Sequence, residues 1–579
     1  MAAQMPFLSL IFLIFMAGNC QAHVLPYDYS FTHECLAKPL KPQYGGGIAI
    51  NPELDEGLMG WTQSCDAKVE HHQQSNGNNY LAASIISANQ TSTIKKFHLE
   101  EDKLYTFSAW FQVSKGNAYI QAIFMTQTDN ITAGWVAAQE GCWTMLKGGL
   151  VVNVTGPAEL YFKSHDINST AQIWVDSISI QPFTPQEWKF HQDQSIEKYR
   201  KSKLKFHVVD QQNRPVPDAT ISIKQTRLSF PFGNAISGYI LNSTAYQNWF
   251  ASRFKYTVFE NEMKWYFNEQ TRGIVDYSVT DAMLQFANSH EIAVCGHTVL
   301  WEDRLGHPTW LRDFPLNRSE EYRQLTDSRV NSVMNRYKGE VFHWDVVNEN
   351  MHHWFIKERI GENSSAIYYK KAHEIDLDAL LFLNEYMTLE KSSDRRASTW
   401  MYLQKIWELR EQGYKGPLGI GLQAHFGPMN LPYVRASIDV LDSVKLPIWI
   451  SELDINNKTG PDQANRLDQI IRELHAHHAV QGILMWSAIS PEGCWKLCLT
   501  DQNFNNLDTG DVVDKFIAEW TYSSGLEGKT DSDGYFETLL FHGQYEATLR
   551  FGKEPILHKF EVMPNGEGKD EVVVFKICV

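Results

Sequence analysis

The sequence predicts an α/β protein built around a (β/α)8 barrel, with a β-sandwich of the jelly-roll type before the barrel and a second, small β-sandwich beside it. Three observations support this fold class. The 579 residues suit about two to four domains. Residues 45–185 contain short alternating runs typical of strands. Residues 230–520 alternate apolar runs with longer amphipathic stretches.

The first 22 residues, 1–22, have the pattern of a signal peptide. The apolar stretch from Phe7 to Gly18 is too short to cross a bilayer, and Cys20-Gln21-Ala22 offers a small-x-small cleavage site. No later segment has the pattern of a membrane span, so we expect a soluble, secreted, extracellular protein. Glycosylation sequons agree with export and occur at Asn89, Asn130, Asn153, Asn168, Asn242, Asn317, Asn363 and Asn457.

Charge and cysteine content restrict the possible functions and partners. A formal net charge of −16 without a basic stripe argues against nucleic-acid binding. Of the 8 cysteines, Cys20 leaves with the signal peptide, and the odd remainder leaves at least one thiol unpaired within the chain. Cys295 lies in an apolar run and is predicted to be that buried thiol. Cys494 and Cys498 are close enough to close a small loop.

Residues 45–185 are predicted to form the first sandwich. The runs LYTFSAWFQVS, AYIQAIFMTQ, AELYFKS and AQIWVDSISI alternate apolar and polar residues, and clusters of Gly, Asn, Asp and Ser separate them. Because successive side chains of a strand point to opposite faces, this alternation fills a core between two sheets.

The barrel prediction depends on apolar runs between residues 230 and 520, which helical patterns such as DYSVTDAMLQFANSH separate. The eight runs are 231–236, 255–261, 291–299, 341–349, 379–385, 418–426, 446–455 and 482–488. Nearly every run ends on polar residues, at the end of the strand where a barrel carries its active site. Any strand can end at a polar loop, but that explanation does not readily account for two runs that close on WDVVNE and WISELD.

Two shorter segments flank the barrel, and we predict that they form one discontinuous small β-sandwich from residues 203–226 and 524–579. Residues 203–225 have the pattern of a β-hairpin, and TDSDGYFETLLFHGQYEATLRFG also has a strand pattern. Together the segments resemble a transthyretin-like or carboxypeptidase-regulatory-like sandwich. The barrel would then be an insertion between the two halves of this sandwich.

Two carboxylates, Glu349 and Glu452, stand at the ends of predicted barrel strands. In a barrel both can face one cleft, and two facing carboxylates are the minimum machinery for cleaving a glycosidic bond. One protonates the leaving oxygen while the other attacks the anomeric carbon or activates water. A separation of about 5–5.5 Å gives retention of configuration, and about 6.5–9.5 Å gives inversion. The alternative is that both are ordinary loop carboxylates.

The same region resembles the catalytic domain of glycoside hydrolase family 10, the retaining endo-β-1,4-xylanases. The matching stretches are FGNAI, ENEMKW, GHTVLW, WDVVNEN, GLQAHF and ISELDI, which occur in this order over about half of the chain. The resemblance implies a barrel that hydrolyses xylan and needs no cofactor for catalysis.

The resemblance also implies roles for individual residues. Glu349 would be the general acid/base, and Glu452 would be the nucleophile that forms a xylosyl-enzyme ester. Asn348 would bind the sugar 2-hydroxyl or the nucleophile, His425 would orient Glu452, and Gln423 would support that pair. The residues implied to bind substrate in the −1 and −2 subsites are Glu260, Asn261, Lys264, His297, Trp301, Trp486 and Trp495.

The chain departs from the family pattern near the cleft. Residues 301–304 read Trp-Glu-Asp-Arg where family members commonly read W-H-S-Q, and an added acidic pair, Glu302 and Asp303, would raise the pKa of the acid/base or bind a different decoration. The spacing from Trp486 to Trp495 is one residue longer than usual, so core packing is the alternative for Trp495. For Lys264 the alternative is an ordinary surface lysine.

Two histidine groups outside these motifs do not suggest a metal site. Residues 352–353 and 475–478 lack the ligand spacing of a zinc centre, so no catalytic metal is expected. We expect a loop contact for the first group. For the second we expect a solvated helix C-terminus, which favours charged histidine.

The N-terminal sandwich resembles a carbohydrate-binding module, most closely family 22, from the stretch NPELDEGLMGW (51–61). Such a module would raise the local concentration of the enzyme on wall polymer. Glu53 and Asp176 match positions where related sandwiches hold a structural Ca²⁺. Four tryptophans are candidates for sugar stacking, although core packing is the favoured interpretation for each: Trp61, Trp110, Trp135 and Trp143.

Together these observations indicate a secreted endo-1,4-β-xylanase of the cell wall or apoplast, a monomer whose partners are xylan and xylo-oligosaccharides. Two alternatives stay open. A transglycosylase would pass the xylosyl group to another chain with the same carboxylates. A catalytically silent xylan-binding wall protein would usually lack one carboxylate, and both are present.

Overall fold

The computed structural model describes residues 24–61, 68–84, 92–164, 171–456, 460–522, 525–551, 555–564 and 571–577. The predicted signal peptide therefore lies outside the described residues, as do the sequons at Asn89, Asn168 and Asn457. The remaining sequon asparagines are exposed. None of the described helices has the length and apolarity needed to cross a membrane.

The N-terminal β-sandwich contains two antiparallel sheets, with strand orders β1-β2-β9-β4-β7 and β3-β8-β5-β6. Its strands are β1 (Lys68–Gln73), β2 (Asn79–Ser84), β3 (Ser92–Leu99), β4 (Leu104–Val113), β5 (Asn117–Met125), β6 (Asn130–Gln139), β7 (Thr144–Leu150), β8 (Gly156–Ser164) and β9 (Gln172–Phe183). The apolar side chains of the two sheets meet in a common core, where the ring centroids of Phe107 and Phe124 lie 5.5 Å apart.

The tryptophans that the sequence offered for sugar stacking are core residues. Each of the following is at most 7% exposed: Trp61, Trp110, Trp135 and Trp143. Trp143 lies beneath an N-terminal segment that the Cys35–Cys142 disulfide joins to the sandwich. Trp135 Nε1 donates to the carbonyl of Ser392 in the barrel at 2.9 Å. Core packing, which we favoured for these four residues, is therefore what the structure shows, because neighbouring segments cover their rings.

A helix, α1 (Pro185–Arg200), follows the sandwich and packs against the barrel. It begins with a capping box: Glu187 N donates to Thr184 Oγ1 at 3.1 Å, and Thr184 N donates to Glu187 Oε2 at 2.7 Å. Trp188 and Gln192 donate to the carboxylate of Glu473 in the barrel at 2.7 and 2.8 Å. This connection is therefore fixed to the barrel surface.

Two strands follow α1, β10 (Lys201–Val209) and β11 (Thr220–Leu228). They lie in different sheets, so the hairpin predicted for residues 203–225 is wrong. Each strand pairs instead with strands from the C-terminal end of the chain. These pairings, and not the short connection between β10 and β11, determine the sheet in which each strand lies.

The barrel is closed and parallel, with strand order β12-β13-β14-β16-β18-β19-β21-β22 and β22 paired back to β12. Its strands and their short extensions are β12 (Phe232–Ile236), β13 (Tyr256–Phe259), β14 (Ala293–Gly296), β15 (Leu300–Trp301), β16 (His343–Asp345), β17 (Val347–Asn348), β18 (Leu380–Glu385), β19 (Leu418–Leu422), β20 (His425–Phe426), β21 (Ile448–Ile455) and β22 (Val480–Met485). Each of the eight predicted runs supplies one barrel strand, and the (β/α)8 fold class is confirmed.

The barrel helices alternate with these strands along the chain. They are α2 (Thr244–Ala251), α3 (Trp265–Asn268), α4 (Ser278–Ser289), α5 (Ser319–Tyr337), α6 (Lys357–Ile360), α7 (Ser364–Ile375), α8 (Thr399–Glu411), α9 (Leu431–Asp442), α10 (Pro461–Ala476) and α11 (Asp508–Thr521).

Large aromatic rings pack on both faces of the barrel strands, with Trp449 in the barrel interior and Trp344 in the layer between strands and helices, and glycines make room for them. A Cβ on Gly296 would lie 2.2 Å from the Trp344 ring, and one on Gly482 would lie 2.6 Å from the Trp449 ring. Cys295 is buried among these residues as a free thiol, as predicted, and burial raises its pKa. Elsewhere, Cys494 and Cys498 form the predicted disulfide.

The C-terminal strands complete the small β-sandwich. They are β23 (Leu526–Lys529), β24 (Tyr535–Phe541), β25 (Gly543–Arg550), β26 (Ile556–Val562) and β27 (Glu571–Lys576). One sheet has the order β24-β10-β27 and the other has the order β23-β11-β25-β26. The two sheets enclose a core of their own, and the barrel lies in sequence between the two halves of this sandwich.

A buried ion pair joins the N-terminal sandwich to the barrel. Lys147 Nζ on β7 lies 2.7 Å from Asp439 Oδ2 on α9, and both side chains are almost fully buried. Tyr27 OH donates to the same oxygen at 2.7 Å. A buried charge needs a partner, so these contacts fix the sandwich in one position on the barrel.

The histidines at the end of α10 are buried, and the solvated C-terminus predicted there is wrong. His475 and His477 are each 1% exposed, and burial lowers the pKa of both. The ring of His475 stacks on Trp520 at 4.1 Å, and His477 Nε2 lies 2.9 Å from Asp439 Oδ1. Packing against other elements covers this helix end, which its local sequence did not reveal.

Candidate active site

The carboxyl ends of the barrel strands surround one cleft of about 720 Å³. Glu452 lies within β21, and Glu349 follows directly after β17. The structure brings every residue that the sequence proposed for the site into the lining of this cleft: Glu260, Asn261, Lys264, His297, Trp301, Asn348, Glu349, Gln423, His425, Glu452, Trp486 and Trp495. Convergence of strand ends at one face of the barrel explains why residues so distant in sequence meet.

Glu452 is held in its ionised form. Its Oε1 accepts a hydrogen bond from Asn384 Nδ2 at 2.8 Å, and its Oε2 lies 3.5 Å from His425 Nε2. Burial opposes ionisation, but the hydrogen bond from His425 and the positive charges of His297, His425 and Lys264 outweigh it and lower the pKa of Glu452 to about 2. Glu452 therefore offers a carboxylate at any ordinary pH.

His425 depends on a second carboxylate for its charge. Its Nδ1 lies 2.8 Å from Asp454 Oδ2, and the Asp454 side chain is fully buried. Burial disfavours the charged imidazole, but Asp454 and Glu452 outweigh that cost and raise the pKa of His425 to about 10. The charged His425 ring therefore lies between two carboxylates, those of Asp454 and Glu452.

Replacing Asp454 by Asn should weaken the ionisation of Glu452. Without the Asp454 charge the pKa of His425 falls, so the pKa of Glu452 rises and the acidic limb of kcat/KM moves to higher pH, with a loss of activity on the order of 10²–10⁴-fold. The measurement is kcat/KM against pH. Asp442→Asn is the matched control, because Asp442 lies 3.4 Å from His478 outside the cleft. An acidic limb that stays in place in Asp454→Asn would contradict this coupling.

Glu349 is poised to carry a proton. Its Oε2 accepts from Trp301 Nε1 at 2.8 Å, and its Oε1 accepts from Gln423 Nε2 at 3.1 Å. Burial, reinforced by the charge of Glu385, raises the pKa of Glu349 to about 7. Its backbone φ of 55° lies in the left-handed region, which a non-glycine residue adopts at some cost and mostly at functional sites.

Lys264 and His297 place positive or polar groups beside the nucleophile. The Lys264 side chain is buried, and its Nζ lies 4.9 Å from the ring centre of Trp301 and 5.3 Å from that of Trp486. Burial lowers the pKa of Lys264, and Glu452 is the carboxylate that opposes this shift most. His297 Nδ1 lies 2.7 Å from Asp345 Oδ2, which fixes the orientation of the imidazole ring. The surface-lysine alternative for Lys264 does not hold.

Aromatic and polar groups complete the walls of the cleft. Trp495 is 60% exposed, and its ring lies edge-on to His425 at 5.6 Å, so the core-packing alternative for Trp495 does not hold. Burial raises the pKa of Glu260 to about 7. Asn261 Oδ1 accepts from Tyr266 OH at 2.6 Å, which orients the Asn261 amide.

Comparisons with known proteins show which family the chain belongs to. The model of glycosyl hydrolase family 10 matches residues 222–505. A relative from Arabidopsis thaliana, named endo-1,4-beta-xylanase 5-like, is 37% identical and covers 94% of this chain and 93% of its own length. The chain belongs to glycosyl hydrolase family 10. Two further Arabidopsis relatives, endo-1,4-beta-xylanase 5 and endo-1,4-beta-xylanase 4, are 41% and 35% identical over 79% and 90% of this chain, and 80% and 94% of their own lengths.

As a member of family 10 the protein is a glycoside hydrolase, and two of its polar side chains have protein contacts that we did not predict. Gln423 contacts Glu349 and not the pair of His425 and Glu452. Asn348 Oδ1 accepts from Asn384 Nδ2 at 2.9 Å, so Asn348 reaches the nucleophile through Asn384.

Sequence reasoning missed several residues of this family 10 site. Asn384 links Asn348 to Glu452, and Ser451 Oγ donates to Asn384 Oδ1 at 2.6 Å, which sets the orientation of the amide. The ending of β18 on Asn384 was visible in the sequence, but its contact with the nucleophile was not. His353, for which we expected only a loop contact, also lines the cleft, and the other missed residues that line it are Tyr266, Tyr386, Met387, Glu390, Asn456 and Lys496.

Residues 302–304, where the sequence differs from the common family pattern, affect the family 10 cleft less than we predicted. Glu302 is buried away from the cleft and accepts from the backbone N–H groups of Ile356 and Lys357 at 2.6 and 3.4 Å. Arg304 forms an exposed ion pair with Asp313. Glu302 and Asp303 therefore do not act as an acidic pair in the cleft, because only Asp303 lines it.

One group of side chains in the described part of the chain has a spacing that a cation could bridge, namely Asp303, Glu349 and His353, whose ligand atoms lie within 4.8 Å of one another. Glu349 Oε2 already accepts from Trp301, and this carboxyl has to carry the proton of the acid. We therefore assign the Glu349 carboxyl to proton transfer and not to a cation. The absence of a catalytic metal stays a prediction.

The calcium prediction for the N-terminal sandwich also stays a prediction. Asp176 Oδ2 accepts from Asn78 Nδ2 at 2.9 Å, and burial raises the pKa of Asp176 to about 7. Glu53 forms an ion pair with Lys41 at 2.6 Å. Both carboxylates thus have protein partners, and a bound Ca²⁺ would need more oxygen ligands than these two residues offer.

Proposed function

We propose that this protein is a secreted, monomeric, retaining endo-1,4-β-xylanase that hydrolyses internal β-1,4-xylosidic bonds of cell-wall xylan by double displacement. The observation that carries the proposal is the opposite shift of two carboxyls in one cleft. The pKa of Glu349 is about 7 and that of Glu452 is about 2, so between these values one is protonated while the other is charged. That pairing is what cleavage of a glycosidic bond requires.

In the first step a carboxylate oxygen of Glu452 attacks the anomeric carbon. The bond to the leaving oxygen breaks, and Glu349 gives its proton to that oxygen. In the second step water bonds to the anomeric carbon, Glu349 takes the proton of the water, and the ester to Glu452 breaks. Atoms and charge balance over the cycle, and both carboxyls return to their starting forms.

The cleft supports the change of Glu349 from acid to base. The negative charge of Glu452 contributes to the raised pKa of Glu349. Once that charge is consumed in the ester, the repulsion ends and the pKa of Glu349 falls, so the same residue becomes a base. Asn384 and His425 hold Glu452 in position for attack.

Xylan as the substrate is supported by the names of the Arabidopsis relatives and by the chemistry of the cleft walls. The rings of Trp301, Trp486 and Trp495 offer apolar faces to sugar rings, and Glu260 and Asn261 offer hydrogen bonds to hydroxyls. We extend the proposal to the N-terminal sandwich as a carbohydrate-binding module, with a binding surface made of residues other than its buried tryptophans.

The proposed mechanism predicts the pH dependence of hydrolysis. The active form has Glu349 protonated and Glu452 ionised, so kcat/KM should fall about tenfold per pH unit above pH about 7. On the acid side the ionisation of Glu452 is retained down to pH about 2. The measurement is kcat/KM on xylohexaose between pH 3 and pH 9. An alkaline limb near the ordinary glutamate pKa of about 4.3 would contradict the assignment of Glu349.

The experiment that tests the function is hydrolysis of xylohexaose by the purified full-length protein, followed by proton NMR of the first-formed reducing ends. A retaining endo-enzyme releases β-anomeric short oligosaccharides, whereas α-anomers would indicate inversion. Products longer than the substrate, formed with an added acceptor oligosaccharide, would indicate the transglycosylase. Xylan binding without turnover would indicate the silent wall protein.

A further inference from the structure

His353 lies in the cleft beside Glu349, yet the mechanism above gives it no role. Its Nε2 lies 3.2 Å from Tyr386 OH, 3.7 Å from Glu349 Oε2 and 3.9 Å from Asp303 Oδ2. Its side chain is 33% exposed, so the ring has contact with both solvent and the cleft. One ring nitrogen is therefore surrounded by three oxygens, and one of these oxygens belongs to the acid/base.

The backbone fixes this arrangement. His353 is four residues after Glu349, and His353 N donates to the carbonyl of Glu349 at 3.2 Å. This turn places the imidazole ring next to the carboxyl without a long, flexible side chain. A charge at such a position acts on the proton of Glu349 in every catalytic cycle.

From these contacts we propose that His353, backed by Asp303, is a positioning residue that, when its ring is protonated, favours the carboxylate state of Glu349 and so tunes its strength as an acid and as a base. The inference rests on the proposed function, because it concerns the proton that Glu349 gives and takes. His353 itself does not touch the reacting atoms in this account.

The groups that face the His353 ring are acidic or polar, so they favour a positive charge on it. Asp303 and Glu349 face it with carboxylates, and Tyr386 faces it with a hydroxyl. On the same turn, His352 turns away from His353 toward Glu385 and Asp394, at 2.8 and 3.4 Å. The negative charges of Glu385 and Glu452 raise the pKa of Glu349. Lys264, in the same cleft, interacts with the carboxylates of Glu349 and Glu452. His353 is thus placed to offset carboxylates that would otherwise keep Glu349 protonated.

The two half-reactions respond differently to this charge. In the first step a charged His353 makes Glu349 a stronger acid toward the leaving oxygen. In the second step the same charge makes the Glu349 carboxylate a weaker base toward water. Because the pKa of Glu349 already falls once the ester forms, loss of the charge should slow the first step most. A full charge at about 4 Å in a watery cleft corresponds to a pKa shift of about 0.7 unit in Glu349.

Two substitutions with opposite charge test the proposal. In His353→Gln the positive charge is lost, so the alkaline limb of kcat/KM should move up by about half a pH unit or more. In His353→Lys the charge is permanent, so the limb should move down. On xylohexaose, whose leaving sugar needs the acid, kcat/KM of His353→Gln should fall, whereas on an activated aryl xylobioside, whose first step needs no acid, it should change little. His290→Gln, at the end of α4 and away from the cleft, is the control for the substitution itself.

The outcomes of these experiments distinguish the proposed role of His353 from a purely structural role, and they distinguish its failure from a failure of the proposed function. The role of His353 would be overturned if the alkaline limb of kcat/KM stays in place in both variants, or if it moves in the same direction in His353→Gln and His353→Lys. NMR titration of the His353 ring should show a lower pKa in Asp303→Asn than in the wild-type protein, and an unchanged pKa would overturn the role of Asp303. Absence of xylohexaose turnover by the wild-type protein would count against the proposed function instead.

Discussion

Glu452→Ala should abolish hydrolysis of xylo-oligosaccharides, with a loss on the order of 10⁵-fold in kcat. The substitution removes the only group placed to form the covalent bond with the anomeric carbon in the proposed mechanism. Azide should restore turnover, because a small anion can enter the space left by the carboxylate and attack the same face of the sugar. Since this is a single displacement, the product should be the α-xylosyl azide, which proton NMR identifies.

Two further variants make the result for Glu452 decisive. Glu452→Gln keeps an oxygen that can accept from Asn384 but cannot attack, so it should be as inactive as the alanine variant. Glu340→Ala removes an exposed carboxylate just before β16, at the opposite end of the barrel, and should retain wild-type activity. Circular dichroism and thermal melting report whether each variant folds. Turnover near wild type in a folded Glu452→Ala protein would remove Glu452 from the mechanism.

Glu349→Ala should lose activity in a way that depends on the leaving group. On xylohexaose the loss should be about 10²–10⁴-fold, because no acid protonates the departing sugar oxygen. On a 2,4-dinitrophenyl xylobioside the first step needs no acid, so the loss in kcat/KM should be much smaller. KM should fall there, because the second step lacks its base and the xylosyl-enzyme accumulates.

Azide and pH complete the test of Glu349. In Glu349→Ala, azide should attack the accumulated ester from the face that Glu349 serves, and it should give the β-xylosyl azide, the opposite anomer to that from Glu452→Ala. The alkaline limb near pH 7 should disappear, since the group that titrates there is gone. Equal losses on both substrates, or an α-azide product, would be inconsistent with an acid/base role for Glu349.

The barrel and the two carboxylates could be predicted because the relevant signals are local in sequence. Each strand run is a few residues long, and Glu349 directly follows a run that turns polar. What could not be predicted is which strand end meets which. Asn384 and Glu452 are 68 residues apart in sequence, and their hydrogen bond exists only because the barrel closes. Likewise Gln423 contacts Glu349 and not its neighbour His425.

The predictions that failed depend on contacts between distant parts of the chain. The strands β10 and β11 pair with C-terminal strands and not with each other. Trp143 was a candidate for sugar stacking, but a disulfide-linked N-terminal segment lies over it. His475 ends an amphipathic helix, yet Trp520 stacks on its ring. Burial between distant segments depends on how domains pack together, and no local pattern of residues reports it.

The discontinuous small sandwich has a consequence for how the protein is made. Ala219 N donates to Thr530 Oγ1 at 2.9 Å, although the two residues are 311 positions apart in the chain. At a synthesis rate of about 5–20 residues per second, β11 leaves the ribosome roughly 15–60 s before that partner. During this interval the barrel strands are synthesised and the N-terminal sandwich already has all its strands, while the apolar faces of β10 and β11 have no sheet to join. The last residues to be translated therefore complete the small sandwich, whose first two strands precede the barrel. A nascent chain released before these residues would have a complete barrel beside two unpaired strands that are prone to aggregate.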